Sequence, residues 1–225
     1  MNLYNAGLMR RLSVLTLAAV LSLLFRASHA EAQEPPPPIP HVALDVRGTF
    51  TRFSREQQLA DSRGLQLAEL PGRGLGGEVG LHVYLFKWGA MTLGVGGQVT
   101  LQRATSSPTV TDGTTVLRGV VERYQAITPQ LSFNFGDGDG WSYISGGLGP
   151  AQRTLLPDGG AISAIDEERL RVVNYGGGAR WFIKPHLAFT FDVRFHDLDP
   201  GTPQFGRPGS PRSRLLIIGA GVSFK

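Results

Sequence analysis

From His41 to the C-terminus of this 225-residue chain, apolar and polar residues alternate with a period of two, again and again. That period places successive side chains on opposite faces of a strand and excludes a helical reading. Val42, Leu44, Val46 and Phe50 fall on one face of the first stretch, opposite Ala43, Asp45, Arg47, Thr49 and Thr51. The second sets Val79, Leu81, Val83 and Leu85 against Glu78, Gly80, His82 and Tyr84. Further stretches are centred on Leu93–Leu101, Ile127–Phe135, Tyr175–Ile183, Leu187–Phe195 and Leu216–Phe224. In Trp141–Thr154 Tyr143 and Ile144 compete for the apolar face, and the phase is ambiguous. Eight segments result, each of about 10 to 14 residues, where soluble strands usually have five or six.

The connections alternate in length. Lys87–Gly89, Gly136–Gly140 and Lys184–His186 are short, whereas 54–74, 103–121, 155–169 and 198–213 are long and polar. Eight antiparallel strands with both termini at the short-turn end produce this asymmetry, which membrane barrels share. Which face meets lipid follows from composition. One face is aliphatic, with aromatics near strand ends at Phe50, Phe86, Phe135, Trp141, Trp181 and Phe195. The other is small and polar, with few Lys and with charges of both signs. A crowded, narrow interior suits such a face better than open water does. The expected fold is therefore all-β: a single eight-stranded antiparallel up-and-down transmembrane barrel with four long external loops and three short periplasmic turns. A soluble secreted barrel with the faces reversed is the alternative, since it shows the same period.

The absence of Cys excludes disulfides and thiolate metal sites. Thirty Gly without a three-residue repeat exclude collagen. Residues 1–30 have the form of a cleaved export signal: Arg10 and Arg11, an apolar stretch from Leu12 to Phe25, and Ser28-His29-Ala30 at the expected cleavage site. That segment holds three of the 22 basic residues and none of the 18 acidic ones, so the remainder is almost neutral. No nucleic-acid partner is expected from such a balance. Residues 31–40 contain four successive prolines, Pro35–Pro38, and read as an extended spacer. The barrel is expected over 41–225.

On these carriers the chain resembles the small eight-stranded outer-membrane β-barrels, like the transmembrane domain of outer-membrane protein A. They are the export signal, the eight segments, the glycine pairs Gly96-Gly97 and Gly146-Gly147, the triplet Gly176–Gly178, and the closing Gly219–Phe224. The resemblance implies an outer-membrane location after export through the periplasm. It implies as partners outer-membrane lipid and lipopolysaccharide, the barrel-assembly machinery and periplasmic chaperones. Phe224 matches the terminal aromatic of the family's assembly signal, although Lys225 follows it.

Six charges fall on the polar face: Asp45, Arg47, Glu78, Arg180, Asp192 and Arg194. They are expected to form a buried ion-pair network that plugs the lumen, because an unpaired buried charge is costly. His196-Asp197 is the one pair with catalytic overtones, yet no Ser stands at a matching spacing on that strand. The histidines lack metal-ligand spacing. Gly136–Gly140 lacks the alternating ligands of a calcium loop and reads as a turn. Arg55–Leu70 reads either as a short amphipathic helix or as an open loop. The expectation is a monomeric, non-enzymatic barrel without cofactor or metal, serving envelope integrity or surface interaction. A narrow pore or transport protein and an outer-membrane lipid-modifying enzyme are the alternatives.

Overall fold

The computed structural model describes residues 37–107, 109–111, 115–160 and 166–225. The export signal at 1–30, the spacer before Pro37, and Ile162 and Ile165 of the third loop lie outside the described residues.

Eight long strands form the barrel: β1 (Val42–Arg52), β2 (Arg73–Trp88), β3 (Met91–Ser106), β6 (Val120–Asp137), β7 (Gly140–Pro157), β8 (Glu167–Lys184), β9 (Leu187–Leu198) and β10 (Ser213–Phe224). A small external hairpin supplies β4 (Thr109–Thr111) and β5 (Thr115–Leu117). The ring runs β1-β10-β9-β8-β7-β6-β3-β2 and closes β2 onto β1, with every neighbour antiparallel. Closure leaves no open sheet edge. Phe224 stands opposite Leu44 of β1 and Leu187 of β9, so the last strand seals the ring.

The outward face is the aliphatic one. Leu75, Leu81, Leu131, Ile144 and Ile183 are all largely exposed, while the polar faces of the same strands are buried. This is the lipid-facing assignment and not the reversed one. Two expectations need correction. Trp141 does not belong to the outer aromatic girdle: it points inward, 2% exposed, stacked on Phe182 and edge-on to Tyr84. Tyr143 accompanies it inward and Ile144 faces out, which settles the phase of β7. Room for the Tyr143 ring comes from glycine. A Cβ on Gly178 would lie 2.7 Å from the Tyr143 hydroxyl and 2.2 Å from the Phe191 carbonyl oxygen.

The second correction concerns length. β6, β7 and β8 each have 18 residues, against the roughly 9 to 11 that a tilted crossing needs. The surplus projects on the long-loop side and takes residues from the expected loops 54–74, 103–121 and 155–169. In this outer third the polarity of the two faces is inverted. Arg103, Arg123, Gln125, Arg169 and Arg171 point out, while Ala104, Tyr124, Ala126, Leu170 and Val172 point in. Along β8 the exchange occurs between Val172, which is inside, and Val173, which is outside. The barrel is thus apolar-out below and apolar-in above.

Over the mouth, the first loop forms a short helix, α1 (Gln57–Ser62), and a 3-10 turn at Leu67–Glu69. Leu59, Ala60 and Leu70 pack on Val120 and Leu155. The expected Arg55–Leu70 element is therefore a folded cap with only six α-helical residues.

Candidate functional site

The lumen collects the polar face of every long strand. The six expected charges are all buried there and meet in one network. Arg180 grips Asp45 with two hydrogen bonds, Nε to Oδ1 at 2.9 Å and Nη2 to Oδ2 at 2.5 Å. Arg47 donates to Glu78 and, at 2.8 Å, to the Tyr143 hydroxyl. Its guanidinium also lies 3.7 Å from Asp45 and 4.0 Å from Asp192. Arg194 binds Asp192 through Nε and Nη2, both at 3.1 Å, and Ser145 Oγ at 2.7 Å. The Tyr143 hydroxyl donates to Asp192 at 2.7 Å, and its ring carries the Arg180 guanidinium at 4.3 Å. Three guanidiniums oppose three carboxylates, so the network is formally neutral. Tyr143 bridges its parts, although the sequence offered no signal for that role.

Toward the mouth the filling changes character. Thr49, Thr51 and Gln102 form one amide-hydroxyl set, with Thr51 Oγ1 donating to Gln102 Oε1 at 2.7 Å. Gln130 donates to Gln98 and Asn174 to Thr128, each at 2.7 Å. Above them Phe53, Tyr124, Leu170, Val172, Leu198, Leu215 and Ile217 form an apolar layer. The expected polar lumen is therefore polar only in part. Higher still, Arg153 holds Glu122 at 2.7 Å and Ser213 at 3.2 Å. At the rim Glu168 accepts from Arg63 at 2.5 Å and from the Ser210 backbone N–H at 2.9 Å, tying the first loop to the fourth. Glu69 accepts from the Arg118 N–H at 2.8 Å and from its Nε at 3.1 Å, tying the first loop to the second. Hydrogen bonding from Arg118 holds the Glu69 carboxyl down at about 2.

His196 and Asp197 lie on opposite faces of β9. His196 is fully buried, its Nδ1 2.7 Å from the Tyr124 hydroxyl. Asp197 points out and accepts from Arg214 at 2.5 and 2.9 Å. No dyad forms from this pair. Among the described residues, no three His, Asp or Glu side chains converge on a metal-sized point. At the short-turn end Ile39 packs against the ring cluster of Tyr84, Trp141 and Tyr143. Lys225 turns back there: its ammonium donates to the Gly138 carbonyl and sits 3.9 Å from the Phe182 ring centre.

No family model matches the chain, and no curated protein does. Solved structures do. Neisserial surface protein A shares 12% identity over 83% of this chain and 97% of its own, with a TM-score of 0.53. The attachment invasion locus protein Ail of Yersinia pestis shares 16% over 81% and 97%, at 0.47. The outer-membrane protease OmpT of Escherichia coli shares 7% over 86% and 99%, at 0.44. At these identities the similarity is one of fold: a small outer-membrane β-barrel.

Proposed function

We propose that this chain is an outer-membrane barrel that serves as a sealed post, holding four loops at the cell surface, with no conducting or catalytic role. Three closures in series support the reading, and the neutral Asp45–Arg47–Glu78–Arg180–Asp192–Arg194 network carries it. That network fills the lumen with guanidinium groups whose charges are already met and with the Tyr143 phenol that bridges them. An eight-stranded barrel is only wide enough to be filled by its own side chains. The apolar layer above removes the continuous polar lining that an ion path needs, and the cap of α1 and Leu70 covers the mouth.

Export by the 1–30 segment, delivery by periplasmic chaperones and insertion by the barrel-assembly machinery, with Phe224 as its signal, complete the reading. Outer-membrane lipid and lipopolysaccharide then surround the aliphatic belt of a monomer. The test is current through planar bilayers containing the full-length protein, after envelope fractionation and a comparison of cold and boiled migration in SDS. A heat-dependent shift from the outer-membrane fraction with no stepwise current is the expected result. Steady current proportional to salt would overturn the sealed post and favour the narrow pore. Recovery from the soluble periplasm without a shift would overturn the membrane barrel itself.

A further inference from the structure

The outer rim carries two pairs of arginines whose partners across the ladder are also arginines. Arg52 of β1 stands directly opposite Arg73 of β2, and Arg103 of β3 directly opposite Arg123 of β6. All four point outward and are exposed. None takes part in an ion pair among the described residues. Like charges facing each other across an antiparallel pair destabilise it. Elsewhere on the same rim the chain avoids this, since Arg214 of β10 faces Asp197 of β9 and binds it. The Arg–Arg positions thus lack the counter-charge that the opposite side supplies.

Each pair opens on a cleft with an apolar wall toward the belt. The first cleft, of about 1210 Å³, puts Arg52, Arg55 and Arg73 beside Phe50, Phe195 and Leu216. Its one carboxylate, Glu56, accepts from Ser54. The second, of about 370 Å³, puts Arg103 and Arg123 beside Leu75 and Leu101, with Glu167 of β8 on its far side. Leu75 and Leu101 are 70% and 55% exposed; Leu75 stands directly opposite Arg103 on the neighbouring strand, and Leu101 lies two residues from Arg103 on its own strand. Each site therefore offers guanidinium above and lipid-facing hydrocarbon below. An acylated phosphate matches both parts: the oxyanion takes paired, charge-assisted hydrogen bonds from Arg, and the chain lies along the wall. A free anion matches only the upper part.

From this geometry we infer that Arg52/Arg73 and Arg103/Arg123 are two binding sites for phosphorylated glycolipid headgroups of the outer leaflet. The inference rests on the membrane reading above and assigns specific residues to a lipid that the reading already places around the belt.

The experiment inserts the full-length protein into phosphatidylcholine vesicles, alone or with lipid A, and reads the midpoint temperature of its heat-dependent migration. Further arms use enzymatically dephosphorylated lipid A and soluble inorganic phosphate. The variants are R52Q/R73Q, R103Q/R123Q and, at the other end of the barrel, K184Q. Lipid A should raise the midpoint for the native chain and for K184Q, and the two other arms should not. Each Arg double variant should lose about half of that rise, and all four changes together nearly all of it. In pure phosphatidylcholine the same Arg variants should melt no lower than the native chain, because a repulsion has been removed. An undiminished rise in the variants, or an equal rise with inorganic phosphate, would overturn the lipid sites and leave the barrel standing. Failure of the native chain to insert would overturn both readings.

Discussion

At the residue scale, the lumen is governed by the cost of burying charge. Breaking one partner of a buried pair leaves an uncompensated ion, at about 3–5 kcal/mol. Arg194 is the sharpest test, because it is fully buried and holds Asp192 by two bonds. Arg194→Met leaves two guanidiniums facing three carboxylates. Its midpoint for heat-dependent migration is expected to fall well below that of the native chain. Adding Asp192→Asn restores neutrality and should recover most of the loss. A single variant as heat-resistant as the native chain would refute the electrostatic account of the plug. The six charges were legible in the sequence because each sits in phase with Gly, Ser, Thr or Gln on a face opposite aliphatic residues. Tyr143 and Trp141 were not. Aromatics on membrane strands are ordinarily read as girdle residues, and the space left by Gly178 is what lets the Tyr143 ring turn inward.

At the scale of elements, the strands were legible where lipid makes the alternation one-signed, and misread where the signs exchange. β6 passes from Arg123 out and Tyr124 in to Ile127 out and Thr128 in without a break in period. A polarity pattern that inverts within one strand resembles the end of a strand and the start of a polar loop. The cap escaped for a different reason: α1 is too short for a helical period to stand out, and its apolar residues find distant partners in Val120 and Leu155. Glu69 anchors this cap, and the lowered pKa of its carboxyl fixes the direction of its pH dependence. With a folded value of about 2 against an ordinary 4.5, its stabilisation is complete above 4.5 and drains away as pH falls toward 2. Hydrogen exchange of residues 57–70, corrected for intrinsic rates, should therefore show protection that is constant from pH 7 to 5 and drops severalfold below 4.5. Glu69→Gln should exchange faster at pH 7 and lose the acid-dependent part of that drop. Equal protection at pH 3 and pH 7 in the native chain would remove the Arg118 clamp from the account.

At the scale of the whole molecule, the exchange of face polarity in the outer third places the chain at one height in a membrane. The aliphatic belt must match hydrocarbon, and the arginine-bearing outer third must stand in headgroups and water, because lipid-exposed Arg near the midplane costs about 2–4 kcal/mol. The boundary on β8 then runs between Arg171 and Val173, both outward-facing. Because the chain has no Cys, single cysteines report this height without background. In intact cells a membrane-impermeant maleimide should label Arg169→Cys and Arg171→Cys rapidly and spare Val173→Cys and Tyr175→Cys by at least tenfold in rate. Lys184→Cys, at the short-turn end of the same strand, should stay unlabelled until the outer membrane is permeabilised. The three outcomes separate the alternatives. Labelling of all five positions in intact cells would mean that the outward face never enters lipid. Labelling of Lys184→Cys alone would mean that the barrel is inserted with its long loops inward. Only the stepped pattern, with its edge between Arg171 and Val173, is consistent with a barrel whose faces exchange polarity at the membrane surface.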